Sequence, residues 1–187
     1  MKPKVLFIEM SAWSEYFVRA IRRHYTGSMG PPPGKKVAWR IVEQWDGTLQ
    51  TVGWIGLGEP AYKLAPRRRI GLQDARPLDF TVCCFIYRIE GPHVVSARDI
   101  LRLWHPVASE VWSRRYGWSP VHWETMIGQG DTSNPGACFK RSGYRSLGMT
   151  TGRSARRPAG PSTGPRIWMD STPKLVLYRG PLHRGEG

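Results

Sequence analysis

The chain has 187 residues, 40% hydrophobic and 11% aromatic with nine Trp, and its 28 Lys and Arg against 14 Asp and Glu give a formal charge of +14. That length suits one ordinary domain, or a domain of about 150 residues with a tail, and the apolar content excludes a generally disordered chain. No apolar run approaches the ~18–20 residues of a membrane span and no signal-peptide pattern opens the sequence, so a cytoplasmic protein with no membrane partner is expected.

Val5-Leu6-Phe7-Ile8 is only a short apolar run. The first predicted element is an amphipathic helix over Ser14–Tyr25, with Phe17, Ile21 and Tyr25 at helical spacing, Ser14 as N-cap, and Gly27 and Gly30 to stop it. Gly30-Pro31-Pro32-Pro33-Gly34-Lys35-Lys36 can be neither helix nor central strand, because three prolines fix φ and remove donors. Val37–Trp45, the turn dipeptide Asp46-Gly47 and Thr48–Leu57 form the clearest hairpin signal. Gly53, Gly56 and Gly58 in the returning strand predict a bulge or a close backbone approach. Pro66-Arg67-Arg68-Arg69 follows as a basic cluster on a loop.

Phe80–Ile89 is almost continuously apolar and reads as a buried strand in which Cys83 and Cys84 are small core groups. With Cys138 the cysteine count is odd, and no disulfide framework or zinc spacing is visible. Ser96-Ala97-Arg98-Asp99 opens a helix with a capping-box outline. Leu101, Trp104, Val107, Ala108, Val111 and Trp112 carry its apolar stripe, and Pro106 implies a kink. Val121–Ile127 reads as another strand, Gly128–Gly136 as a loop, Ala137–Ser142 as a short helix and Lys174–Tyr178 as a terminal strand. The order predicts an α+β domain with a mostly antiparallel sheet. Residues 1–149 form the body, and residues 150–187 a basic Gly/Pro-rich arm whose strand packs on it.

Charge is uneven along this order: +6 over residues 1–40, zero over 41–139 and +8 over 140–187, with Arg outnumbering Lys 21 to 7. Guanidinium forks suit phosphate oxygens and base edges, which makes a nucleic acid the expected partner. Arg-favouring codons and plain solubility charge give the same composition.

No P-loop, nucleophile elbow, His-Glu-x-x-His or methyltransferase glycine loop occurs. The candidates are therefore single groups. His24-Tyr25 at a helix end offers an imidazole base or metal ligand beside a phenol, or simply complements the helix dipole. Glu124 within an apolar strand needs a chemical task or an Arg partner, unless it faces solvent on an edge. The loop with Asp131, Ser133, Asn134 and Gly136, at the start of a helix, presents N–H groups suited to a phosphate-bearing cofactor. Lys140, Arg141 and Arg145 lie beside it.

The succession Arg23-His24-Tyr25, the Pro/Gly/Lys loop, the hairpin and Val52-Gly53-Trp54-Ile55-Gly56 resembles the phage Mom-type DNA-modification proteins, as does Gly136–Tyr144. Tyr62–Arg67, Arg69–Leu72, Tyr116–Pro120 with Glu124-Thr125, and Gly148–Arg153 are similar to the related Druantia anti-phage component A proteins. The Mom resemblance implies a GNAT-like fold and conversion of adenine in double-stranded DNA to an N6-carbamoylmethyl derivative, which shields phage DNA from restriction in the host cytoplasm. It also implies a site using iron or another divalent metal, with His24 and Tyr25 as the His-Tyr pair. The family's Tyr falls on Phe139 here. Its Asp falls near Gly128 or Gln129, with Asp131 close by and Glu124 upstream, so His24, Tyr25, Glu124 and Asp131 are the expected catalytic set. Acyl-CoA is one donor such a site could use, and the sequence leaves the donor open. Lys35, Lys36, Arg67, Arg68, Arg69, Lys140, Arg141, Arg145, Arg153, Arg156 and Arg157 are the expected DNA contacts. The Druantia resemblance implies the rival, a DNA-binding defence or counter-defence module without catalysis.

Overall fold

The computed structural model describes residues 3–24, 30–60, 63–128, 134–150 and 173–181. Its elements are β1 (Lys4–Met10), α1 (Glu15–Arg22), β2 (Lys36–Trp45), β3 (Thr48–Gly58), a 3-10 helix (Ala65–Ile70), β4 (Thr81–Ile89), α2 (Ala97–Tyr116), β5 (His122–Gly128), α3 (Ala137–Arg141), β6 (Arg145–Met149) and β7 (Lys174–Arg179). The strands form one sheet in the order β1-β2-β3-β4-β5-β7-β6. Every neighbouring pair is antiparallel except β4 and β5, which α2 joins as a parallel crossover. The α+β architecture with a mostly antiparallel sheet flanked by helices is thus the observed one.

Local chemistry explains the elements. Asp46 and Gly47 take φ of 44° and 79°, the paired left-handed conformation that matches strand twist in a two-residue turn. Ser14 accepts the Phe17 N–H and caps α1, which turns Phe17, Ala20 and Ile21 onto the sheet. Burying Phe17 and Ile21 contributes on the order of 2 kcal/mol each. The side chain of Ser96 caps α2 in the same way. α2 runs through Pro106 as one helix of 20 residues, its Pro ring exposed.

The sheet alternates its side chains between two layers. On one face, Trp39, Ile55, Leu57, Val82 and Trp123 pack against Leu101, Trp104, Ala108 and Trp112 of α2. Trp104 meets Trp39 and Trp123 edge-on, at 5.6 and 5.8 Å between centroids. On the other face there are two smaller clusters, one under α1 around Phe17 and Ile86 and one under the 3-10 helix around Ile70, Val176 and Tyr178. Between the sheet and the start of α2, the buried carboxylate of Glu43 accepts the main-chain N–H groups of Val94 and Val95. Among the described residues, no helix is long and apolar enough to cross a membrane.

Candidate functional site

The parallel pair β4/β5 is short. It runs only from Thr81↔His122 to Cys84↔Thr125, and at its last rung the Thr125 hydroxyl donates to the Cys84 carbonyl at 2.9 Å. Beyond that rung the strands part. Phe85 to Ile89 keep β3 on one side and, among the described residues, have no strand partner on the other; Met126 to Gly128 keep β7.

The cause lies in β3 and β4. Their register steps from Gly56↔Ile86 to Leu57↔Cys84, so Phe85 is an extra residue that bends β4. The bulge requires glycine opposite it. A Cβ on Gly56 would meet Phe85 Cζ at 2.5 Å and Phe17 Cζ at 2.9 Å, and one on Gly53 would meet the Arg88 carbonyl at 2.3 Å. The glycine pattern of β3 therefore marks both a bulge and a close approach.

His24 sits against this opened arm. Its ring is 6% exposed and hydrogen-bonds the Tyr87 main chain of β4. Burial, then the charges of Arg88 and Lys174, lowers its pKa to about 4 despite that hydrogen bond, so the imidazole is neutral at pH 7. Arg88 itself bonds the Arg23 carbonyl and Glu90, fixing the end of α1 to β4.

Glu124 belongs to a different structure. Both its oxygens accept from Arg67, each at 2.6 Å, and Arg67 Nη1 donates to the Ala75 carbonyl at 3.0 Å. Arg67 is 0% and Glu124 2% exposed. The Arg partner expected for a carboxylate in this strand is thus present, and the burial of both side chains leaves Arg67 no exposed face for a phosphate. The pair ties the 3-10 helix to β5, which lies in the sheet's interior rather than at its edge.

The remaining candidates divide. Lys35, Arg68, Arg69, Lys140, Arg141 and Arg145 are exposed and Lys36 is half-buried, all available to an anion. Asn134 accepts from Lys140 Nζ at 3.1 Å, and Gly136 takes φ 72° with Leu177 Cδ1 2.7 Å from where a Cβ would stand. Close packing on β7 accounts for that glycine, which leads directly into the five-residue α3. Tyr25, Asp131, Ser133, Arg153, Arg156 and Arg157 lie outside the described residues.

A metal finds little here. Among the described residues no three His, Cys, Asp or Glu side chains converge. Of the two expected ligands, Tyr25 lies outside the described residues, and His24 is hydrogen-bonded to the main chain with two cations nearby. Phe139, at the expected Tyr position, packs edge-on against Tyr87 and Tyr144 at 5.6 and 5.1 Å. The described donor set does not fit a divalent ion.

One pair was not anticipated. His105 Nε2 and the Tyr144 hydroxyl lie 2.9 Å apart in the α2-side core, and the imidazole also meets the Leu101 main chain one turn back in α2. Burial, then the Arg179 charge, lowers the His105 pKa to about 3, and burial raises that of Tyr144 well above its usual value. Its signal in the sequence was a polar residue one place from Trp104, in a helix whose stripe otherwise reads as apolar.

No family model and no curated protein matches the chain. Among solved structures it is similar to aminoglycoside 6'-acetyltransferase type Ii, at 12% identity and a TM-score of 0.40, over 78% of this chain and 68% of that one.

Proposed function

We propose that the chain is a GNAT-like transferase that alters the N6 amino group of adenine in double-stranded DNA. A carbamoylmethyl-like product, which would protect phage DNA from host restriction, follows from the Mom-type resemblance. The observation that carries the reading is the split between β4 and β5 with a neutral imidazole set against it, in a chain of charge +14. Open sheets take ligands in crevices at the carboxyl ends of parallel strands, where the strand order changes sense. Among the described residues the two strands do not pair with each other beyond Cys84 and Thr125.

An adenine N6 lies within a base stack, so the base must be extruded, with its flanking phosphates held by cations. The exposed side chains of Lys35, Arg68, Arg69, Arg141 and Arg145 are available for that. The amine is a poor nucleophile because its lone pair is delocalised into the ring. When N6 bonds to the electrophilic carbon of an activated donor, the donor's leaving group departs with its electron pair and the nitrogen becomes cationic. A cationic aryl nitrogen is a strong acid, so an imidazole of pKa about 4 is basic enough to take its proton.

The test is to digest DNA from expressing cells to nucleosides and weigh them. A new deoxyadenosine mass that is lost in folded His24→Ala supports the reading. Unmodified deoxyadenosine from soluble, DNA-binding protein overturns it in favour of the non-catalytic module.

A further inference from the structure

At the other end of α1 from His24, a cavity of about 450 Å3 opens between the end of β1, the start of α1 and the start of β2, with Ser11, Trp13, Lys36 and Arg115 in its wall. A helix of eight residues separates the two places, about 12 Å along its axis. The cavity is thus distinct from the opened strands.

Its aromatic content is unusual for a surface. Trp13 is 65% and Tyr16 71% exposed, although both are large enough to repay burial. The Trp13 N–H donates to Ser11 Oγ at 3.2 Å, which holds the turn that presents the indole. Lys36 Nζ stands 5.6 Å from the Trp13 ring centroid and Lys35 Nζ 5.5 Å from that of Tyr116. The Tyr116 hydroxyl fixes the Lys36 main chain from both sides, accepting its N–H at 3.0 Å and donating to its carbonyl at 2.8 Å. Arg114 and Arg115 share Glu9. Two cations, Lys36 and Arg115, thus line the cavity with the carboxylate Glu9, and Lys35, Arg114 and Glu59 adjoin those groups, Glu59 held on the Lys35 N–H.

An exposed indole among cations suits a nucleotide: the ring takes the base face and the cations the phosphate. In a duplex every base face is covered by its neighbour, so a stacking ring selects an unpaired base. Resting on the reading that DNA is the substrate, we propose that the Trp13 cavity holds one unpaired nucleotide of a locally opened strand, with its base on the indole and its phosphate on Lys36 and Arg115. Such a grip would stabilise the opened DNA from which a neighbouring adenine is extruded.

The probe is a fluorescein-labelled single strand of about fifteen nucleotides, compared by anisotropy with a duplex of the same length. Trp13→Ala is expected to weaken single-strand binding about tenfold and duplex binding less than about twofold, and Trp13→Phe to retain most of the affinity. The side chain is mostly in solvent, and an unchanged melting temperature confirms that the variant folds. The proposal is overturned if Trp13→Ala binds the single strand like the parent, if both DNAs weaken alike, or if polyglutamate of equal charge competes as well as the single strand. Single-strand binding that depends on Trp13, with no modified deoxyadenosine, would leave this site standing and remove the transferase reading; the reverse result would do the opposite.

Discussion

Arg67 and Glu124, 57 positions apart in sequence, form a two-pronged ion pair with no access to water. The remaining guanidinium nitrogen is held on the Ala75 carbonyl, so the pair joins three segments: the 3-10 helix, the turn after it and β5. A pair so placed locks geometry more than it adds stability, because desolvating both charges offsets most of their attraction.

Removing one partner is therefore expected to be costly. Arg67→Ala or Glu124→Gln strands the other group in the interior, at about 3–5 kcal/mol. The double variant Arg67→Met/Glu124→Leu is expected to recover most of that loss. Urea unfolding of the three variants measures it.

Acid should weaken the fold through His24 and His105. Both have folded pKa values, about 4 and about 3, below the ordinary 6.5. Above pH 6.5 both states are neutral and the histidines contribute no pH dependence. As pH falls from 6.5 toward 4, the unfolded chain takes up protons that the folded chain refuses, and stability falls by a few kcal/mol, to order of magnitude. Urea midpoints across that range should drop, and His105→Phe should show a shallower slope.

Gly56→Ala is expected to destabilise by about 1–3 kcal/mol, because the new methyl would enter the rings of Phe85 and Phe17. Those rings define the bulge, so the variant should also lose DNA modification out of proportion to its loss of stability. Melting and nucleoside masses on the same preparation separate the two effects.

Arg68 and Arg69 on the 3-10 helix lie beside β6, where the Arg69 guanidinium covers Gly148, and Arg145 is close enough to bias the titration of Tyr178. Replacing all three with Ala should lower the salt dependence of DNA binding by about 2–3 in the slope of log K against log salt. Anisotropy titrations at several salt concentrations read this directly.

The β2–β3 hairpin was legible because its information is local: two turn residues between two β-branched runs. The caps of α1 and α2 and the glycines of β3 were legible for the same reason. β1 was not, since Val5–Ile8 has no turn beside it and becomes a strand only by pairing with β2. β6 has a single buried apolar residue, Leu147, and takes its form from β7. Arg67 was misread because three consecutive arginines look like surface, and its carboxylate lies on a distant strand. At the site, the His24 position was visible as a helix end, but the parting of β4 from β5 depends on a register step between strands, which no single segment encodes.

The sheet order β5-β7-β6 places the last of the described strands inside, not at the rim. Among the described residues β6 has no neighbour other than β7, and until residues 174–179 arrive, β5 must keep an unsatisfied flank of main-chain polar groups. Assembly of this half must therefore finish late, by wedging a six-residue strand between two already synthesised. A shortened product lacking that strand would lose β6 along with it, and its naked β5 would be an adhesive surface for other copies.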